Sequence, residues 1–317
     1  MRPSDLKKVL PYAVVNAGVG VALGSVNRDA ILALYKRFGA VLLKGFDSDL
    51  DDFGAFASSF CSVAVQNGSL NRARLGASEA IQSVNLGIQP FPLHPELSRE
   101  PWKPDSCFFY CIKPPVSGGA TTVCDGVEIV RQLPEDIRVM MEGARLKYIA
   151  PAGPDILKFW LGDPLPDSRL ISNPPPNCPY SFERSGGQLV RVFTRPFLHK
   201  PMFSGSLAFG SFLLFARILR GIRTFPILDD GQIVPDDWVR IVRAISDQLT
   251  FPIFWERGDV LMLDNSRFMH GRTAVTDPED RLIATYFGYL DRAIPDDEEP
   301  PNAIWRKPGF HPPQFGA

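Results

Sequence analysis

Pro92-Leu93-His94-Pro95-Glu96-Leu97-Ser98 is the stretch on which the reading of this chain turns. Pro95 argues against a helix, and side chains two apart on extended backbone point the same way, so His94 and Glu96 are expected on one face. A second histidine, His270 in Met269-His270-Gly271-Arg272, lies just past the apolar run Val260-Leu261-Met262-Leu263 and its terminating Asp264-Asn265. Two imidazoles and one carboxylate on one side of a metal, with the other side open, suit ferrous iron that must take up a co-substrate and dioxygen together. His-x-Glu alone is a weak signal; its weight comes from the sequence around it.

The bulk properties narrow the classes. A chain of 317 residues, 45% hydrophobic and 22% charged, can bury a substantial core as an ordinary globular protein. A formal net charge of -1 gives no reason to expect nucleic acid or an anionic membrane as partner. Cys61, Cys107, Cys111, Cys124 and Cys178 lack metal-type spacing and read as reduced core thiols of a cytoplasmic protein, with Cys107 and Cys111 on one side of a strand. Lys7 and Lys8 before the mostly apolar run 9–24 imitate a secretion signal, but Asp5, Pro11 and Asn16 break the imitation. The apolar run 201–216 is too short to span a bilayer.

Along the chain, Asn27 is placed to cap a helix carrying Ile31, Leu34, Tyr35 and Phe38, and Gly39 to end it. Residues 40–43 read as a buried strand, and Asp51, Phe53, Phe56 and Phe60 as a second helix. Residues 62–93 have few strand signals and read as a lid over the site. Residues 107–112 and 121–124 are strands, followed by helical stretches at 127–133 and from Pro134. Residues 151–187 are rich in Pro, Gly, Asn and Ser and read as irregular, part of a second lid region reaching about residue 230. Strands at 188–194, 259–263 and 282–290 flank a helix opened by Pro235 with Trp238, Ile241, Val242, Ile245 and Leu249 on one stripe. The expected fold is a single domain over 1–317, mostly β with flanking helices, built on a double-stranded β-helix of jelly-roll, cupin-like type.

The remaining charged candidates each have a plain alternative. His199 and His311, beside Lys200 and Pro312-Pro313, suit surface or packing roles. Arg281, at the mouth of the last apolar strand, can clamp a carboxylate in two-point geometry or pair at the surface with Glu279 or Asp280. Arg272 should face the same pocket as His270, holding a carboxylate of substrate or co-substrate, unless it turns outward to Asp277 or Glu279. Arg184, Arg191 and Arg195 are further pocket candidates, whereas Arg217, Arg220 and Arg223 read as a solvated face.

From about residue 25 to 292 the chain resembles the taurine dioxygenase-like iron(II)- and 2-oxoglutarate-dependent oxygenases, and more closely their clavaminate synthase-like branch. The likeness is carried by Gly39-Ala40-Val41-Leu42-Leu43-Lys44-Gly45-Phe46, by His94-x-Glu96-Leu97-Ser98, by Phe109-Tyr110-Cys111 with Pro114-Pro115, by Gly118-Gly119-Ala120-Thr121, and by Gly258-Asp259 through His270-Gly271-Arg272 to Arg281. The resemblance implies iron(II) held by His94, Glu96 and His270, Thr121 and Arg281 on the 2-oxoglutarate carboxylate, and dioxygen as the other co-substrate. It also implies hydroxylation of an unactivated C–H bond of a small substrate, with the glutamate-ligand branch pointing to amino-acid derivatives of specialised metabolism. Desaturation, cyclisation and epoxidation share this chemistry. From other classes, a zinc hydrolase or a catalytically inactive binding protein of the same fold stays open, although Pro95 disfavours the helical ligand placement of zincins. Taurine dioxygenase has a second arginine four residues beyond the co-substrate arginine; here that position is Thr285, so a taurine-like substrate is not expected. Related iron halogenases carry Ala or Gly where Glu96 stands, so hydroxylation rather than chlorination is expected, and Glu96→Ala is expected to spare the fold.

Overall fold

The computed structural model describes residues 10–313, so Asp5, Lys7 and Lys8 of the signal-like start lie outside the described residues. Alternation along one strand organises the centre. In Ser106–Lys113, Cys107, Phe109 and Cys111 turn to one face, as expected for the cysteines, and Phe108 and Tyr110 turn to the other; both faces are buried. This strand sits inside a seven-stranded sheet ordered Ala13–Asn16, Ala40–Lys44, Val260–Asp264, Ser106–Lys113, Leu282–Leu290, Cys61–Val65, with Gln82–Ser83 also on Leu282–Leu290. The first pair is parallel and the rest are antiparallel.

The outer face of this sheet packs on two helices. Asn27 accepts the Ala30 N–H at the start of Arg28–Phe38, and Gly39 ends it at φ 73°. A Cβ on Gly39 would fall 2.7 Å from the Arg267 side chain, so glycine is required there for space as well as for conformation. Ile31, Leu32 and Tyr35 from this helix, and Phe53 and Phe56 from Leu50–Ser58, meet Val41, Leu43, Phe108 and Tyr110 in one buried cluster.

The inner face meets a second, antiparallel sheet ordered Phe251–Ile253, Thr121–Asp125, Phe268–Arg272, Phe91–His94. Val123, Ile253 and Phe268 share a cluster with Leu42, Phe109, Leu263 and Phe287 of the large sheet. Cys124 and Met269 point away from it, onto Gly126–Gln132, Leu213–Leu219 and Asp236–Leu249. The molecule is therefore mostly β, two sheets sharing a core with helices outside each. Among the described residues no helix is long and apolar enough to cross a membrane.

Of the two expected lids, the stretch 151–187 is built structure, whereas most of 62–93 lies outside helices and strands, with Asn67, Arg72 and Asn85 lining the site cavity. Pro154 opens the helix Pro154–Leu161 and Gly162, at φ 80°, closes it; Asp167 caps Ser168–Ser172. Ser181–Ser185 belongs to a third sheet with Gln188–Pro196, Arg145–Pro151 and Ile227–Leu228. The breaker-type residues of 151–187 are thus the boundaries of short elements. Ile156, Leu157, Trp160 and Leu161 bury themselves in the main core, Trp160 stacking on Trp102 with centroids 6.0 Å apart. At the other expected lid, Cys61–Val65, Gln82–Ser83 and Phe91–His94 are strands. The small Ser62 and Ala64 on the outward face of the first had weakened its alternating pattern.

Candidate metal centre

The site is assembled by strand register. His94 closes Phe91–His94, His270 lies in the middle of Phe268–Arg272, and the two are directly paired across the antiparallel ladder. Directly opposed side chains share a face, and these rings sit with centroids 4.7 Å apart. His270 is thus inside a strand of its own, a correction to the expectation that it lies just past one. Glu96 follows two residues after His94, with Oε2 3.6 Å from His270 Nε2. One donor atom from each of His94, Glu96 and His270 falls within 4.8 Å of the others, which is the span a single ion can bridge.

His94 and Glu96 are each held by neighbours. His94 Nδ1 is 2.8 Å from the Pro92 carbonyl; a carbonyl only accepts, so Nδ1 carries the proton and Nε2 presents its lone pair to the cavity. Burial, with His270 adding to it, pushes the His94 pKa down to about 4, which keeps the ring neutral. Burial opposes ionisation of Glu96, but Arg72 and His270 outweigh it and hold this carboxyl well below the usual range. Arg72 Nη2 donates to Glu96 Oε2 at 3.1 Å, and Asn67 Nδ2 donates to Oε1. The Glu96 backbone is clamped by Asn265, whose Oδ1 accepts the Glu96 N–H at 2.7 Å while its Nδ2 donates to the Glu96 carbonyl at 3.0 Å. Sequence reading missed all three of these residues. Asn265 had been noted only as a strand end, and Asn67 and Arg72 stand in a polar loop that carries no local signal.

A second cluster lies beside the first. Register pairs Arg272 with Thr121 and His270 with Val123, which puts His270, Arg272 and Thr121 on the same inner face. Arg281 is 8% exposed; its Nε donates to the Gly119 carbonyl at 2.7 Å and its Nη2 to Thr121 Oγ1 at 3.3 Å. A Cβ on Gly119 would lie 2.9 Å from the Arg281 side chain, so this glycine makes room for the guanidinium. Trp255 Nε1 also donates to Thr121 Oγ1, at 3.0 Å. With both lone pairs taken, the Thr121 hydroxyl has its own proton to give to another acceptor. Burial, then Arg272, push the Arg281 pKa down to about 10. Of the surface partners considered for Arg281, Glu279 is not paired with it, and the Asp280 side chain lies outside the described residues.

Arg272 does line the cavity, but its guanidinium donates to the carbonyls of Asn85 (2.5 Å) and Gln89 (2.7 Å) and lies 4.9 Å from the Phe91 ring centre. Arg191 stacks on Tyr180, Arg195 donates to the Ser98 carbonyl at 2.7 Å, and Arg184 lies on an exposed strand, so none of these three reaches this cavity. Arg217 pairs with Asp236 with its side chain only 6% exposed, which corrects the solvated-face reading for it, whereas Arg220 is exposed, as expected, and also stands at the cavity wall. His199 packs 2.7 Å from the Ser266 carbonyl and His311 is exposed, as expected. The cavity measures about 170 Å³, with Phe91, Phe109, Phe212, Phe215, Arg99 and Arg220 among its walls. A larger groove of about 980 Å³ shares Asn67, Arg99, Phe215 and Arg220 with it.

Comparison with known proteins agrees with this architecture. Residues 10–286 match the family described as "Taurine catabolism dioxygenase TauD, TfdA family". A clavaminate synthase-like protein of Arabidopsis thaliana is 24% identical over 276 residues, covering 80% of this chain and 82% of that protein. The structure of PvcB from Pseudomonas aeruginosa superposes with a TM-score of 0.58 at 15% identity, over 90% of this chain and 88% of that one. A taurine dioxygenase from Burkholderia xenovorans gives 0.57 at 13% identity over 91% of each chain. At such identities the two structures speak for the fold alone. The family match spans most of the chain, and the protein belongs to the TauD, TfdA family of dioxygenases.

Proposed function

We propose that this enzyme is an iron(II)- and 2-oxoglutarate-dependent dioxygenase in which His94, Glu96 and His270 hold the metal and Thr121 and Arg281 receive the far carboxylate of 2-oxoglutarate. The observation that carries this is the convergence of three donors, within 4.8 Å, beside a buried guanidinium whose partners among the described residues are the Gly119 carbonyl and the Thr121 hydroxyl. Iron with 2-oxoglutarate and dioxygen supplies an oxidant for a C–H bond and releases succinate and carbon dioxide. The protein supplies the rest. Asn265 fixes the Glu96 backbone, the free proton of Thr121 and the Arg281 guanidinium orient a carboxylate, and Phe109, Phe212 and Phe215 keep water out of the cavity. Family membership supports the reading, as does the description of PvcB as an Fe, alpha-ketoglutarate dependent oxygenase from an isonitrile synthetic pathway.

The reaction we assign is hydroxylation of an unactivated C–H bond in a small, amino-acid-derived substrate. Charge supports the substrate class: Arg72, Arg99, Arg220, Arg272 and Arg281 line the cavity against one carboxylate, Glu96. The dianion of 2-oxoglutarate balances the metal and leaves the arginines in excess, which favours a substrate bearing a carboxylate. Thr121 and Arg281 serve the co-substrate, and Arg272 is committed to loop carbonyls. Arg220, exposed at the cavity wall, and Arg99, whose partners are Glu100 at 3.8 Å and the Phe212 ring, are then the groups that meet that carboxylate. We read the paired sheets as a double-stranded β-helix and the chain as one domain, and the five free cysteines as fitting the cytoplasm.

The test is anaerobic titration with iron(II) and 2-oxoglutarate, followed by aerobic turnover with an amino-acid panel. A visible absorption band that needs both components, then succinate formed with a panel member, is the expected result. Metal binding without the band would favour a zinc hydrolase, and the band without any succinate a binding protein; either sinks the proposal.

A further inference from the structure

The three donors are tied to the chain segment between Cys61–Val65 and Phe91–His94 in a way the reaction does not by itself demand. Arg72 comes from that segment and lies on its far side from His94 in sequence, yet its guanidinium ends at Glu96. Its Nε donates to Asn85 Oδ1 at 3.0 Å, Nη1 to Thr285 Oγ1 at 3.2 Å and Nη2 to Glu96 Oε2 at 3.1 Å. The group lies flat enough on Phe287 to put its carbon 5.1 Å from the ring centre, with its side chain 7% exposed. Three acceptors on three different stretches fix a planar fork in one orientation, which a flexible ammonium could not match.

Asn67 supplies the complementary half. Its backbone N–H donates to Gln82 Oε1 at 3.1 Å, its carbonyl accepts from Gln82 Nε2 at 3.0 Å, and its Oδ1 accepts from the Ser69 N–H at 2.8 Å. With Oδ1 so engaged, the amide nitrogen is the end turned to Glu96 Oε1. Gln82 in turn pairs with Thr285 on the neighbouring strand, which also carries Phe287. Glu96 therefore meets different partners at its two oxygens. Oε2 faces His270 and bonds Arg72, whereas Oε1 is turned to Asn67.

We propose that Asn67 and Arg72 are positioning residues that hold Glu96 as a one-oxygen ligand. This rests on the metal reading above and goes beyond it. A carboxylate free to pivot can present both oxygens to a metal and occupy two positions. With Oε1 held by Asn67, Glu96 would offer a bound metal one oxygen only, leaving the open side of the site to 2-oxoglutarate and dioxygen. Because Arg72 and Asn67 belong to the 66–85 stretch, and Arg272 reaches from beside His270 to the Asn85 and Gln89 carbonyls, that stretch and the metal are latched from both directions. Whatever affinity the ordered stretch adds to metal binding, metal binding must return to the stretch as order.

The experiment uses manganese(II) on the full chain, read by calorimetry, then 2-oxoglutarate titrated into the manganese-loaded protein. Hydrogen exchange of residues 66–90 is followed with and without metal. Arg72→Met is expected to weaken manganese binding by about 10–100-fold, the usual effect of removing a partner of a metal ligand. Arg72→Lys should recover part of that, since an ammonium can reach Glu96 but cannot also fork to Asn85 and Thr285. Asn67→Ala, a loop substitution that leaves the core untouched, should leave manganese binding within a few-fold but weaken 2-oxoglutarate about tenfold, because the released Oε1 competes for its position. Metal should slow exchange of 66–90 in the native chain and not in Arg72→Met. Unchanged affinities in a folded Arg72→Met and Asn67→Ala, or exchange in 66–90 that ignores metal, overturn the positioning role while leaving the metal centre intact. A native chain that binds no manganese overturns both.

Discussion

Replacing Arg281 with Met should act in opposite directions on the ligand-free fold and on 2-oxoglutarate binding. In the folded chain burial and Arg272 bring its guanidinium down to about 10 from 12.5. A base whose folded value is lowered binds its proton less well when folded, so the charge opposes folding at every pH below about 10. The cost is about 3 kcal/mol at pH 7. The bonds to the Gly119 carbonyl and Thr121 return about 1 kcal/mol of this. Arg281→Met should therefore leave the metal-free protein about 1–2 kcal/mol more stable, a rise of a few degrees in melting temperature. With manganese bound, 2-oxoglutarate loses a charge-assisted clamp in a site 8% exposed, which costs about 2–4 kcal/mol, or about 30- to 1000-fold in Kd. Thermal melts of the metal-free proteins and calorimetry of the loaded ones measure the two effects. If the variant melts well below the native chain and binds 2-oxoglutarate normally, Arg281 is a structural cation and its assignment is wrong.

Three further outcomes follow from the contacts. Glu96→Ala should lose metal and also about 3–5 kcal/mol of stability, because it strands Arg72 as a buried, unpaired charge; adding Arg72→Met should restore most of the stability and none of the metal, by melts and calorimetry. This revises the expectation that Glu96→Ala spares the fold. Asn265→Ala removes three buried hydrogen bonds, to the Glu96 N–H and to the carbonyls of Glu96 and Pro104, and should cost about 3 kcal/mol in urea unfolding while weakening manganese binding; no loss of affinity would mean that the clamp does not aim Glu96. Glu100, buried under the Tyr180 hydroxyl at 3.0 Å, is raised by burial from 4.5 to about 7 despite Arg191 and Arg99. Between those values the folded state holds the extra proton, so native stability falls as pH rises from about 4.5 and has lost about 3 kcal/mol above pH 7. Glu100→Gln should flatten that slope in melts between pH 5 and 8.

What was legible in the sequence had a local cause. Asn27 and Gly39 bracket their helix because capping acts within a turn, and 282–290 reads as a strand because nine residues keep nearly every side chain buried. His94 and Glu96 declared themselves by spacing two, and His270 by the apolar strand before it. Residues 151–187 were misread because a proline and a glycine can bound an eight-residue helix as readily as they can break one, and the deciding burial of Trp160 against Trp102 is not local. Arg72, Asn67 and Asn265 were invisible for the same reason. Each takes its role from a partner 24 to 169 residues away, and nothing in its own neighbourhood differs from a solvated loop.

The pairing of His94 with His270 also sets an order of events in time. The two rings stand opposite each other only when Phe268–Arg272 has docked between Thr121–Asp125 and Phe91–His94, and a slip of one residue would turn His270 toward the outer helices. A nascent chain that has not yet emerged past residue 270 would lack one of the three proposed metal ligands. On the metal reading proposed above, iron would not serve as a nucleus around which this protein condenses; it would be taken up by a chain whose sheets are already closed. Starvation for the metal should then leave folded, reloadable protein in the cell instead of debris for proteases.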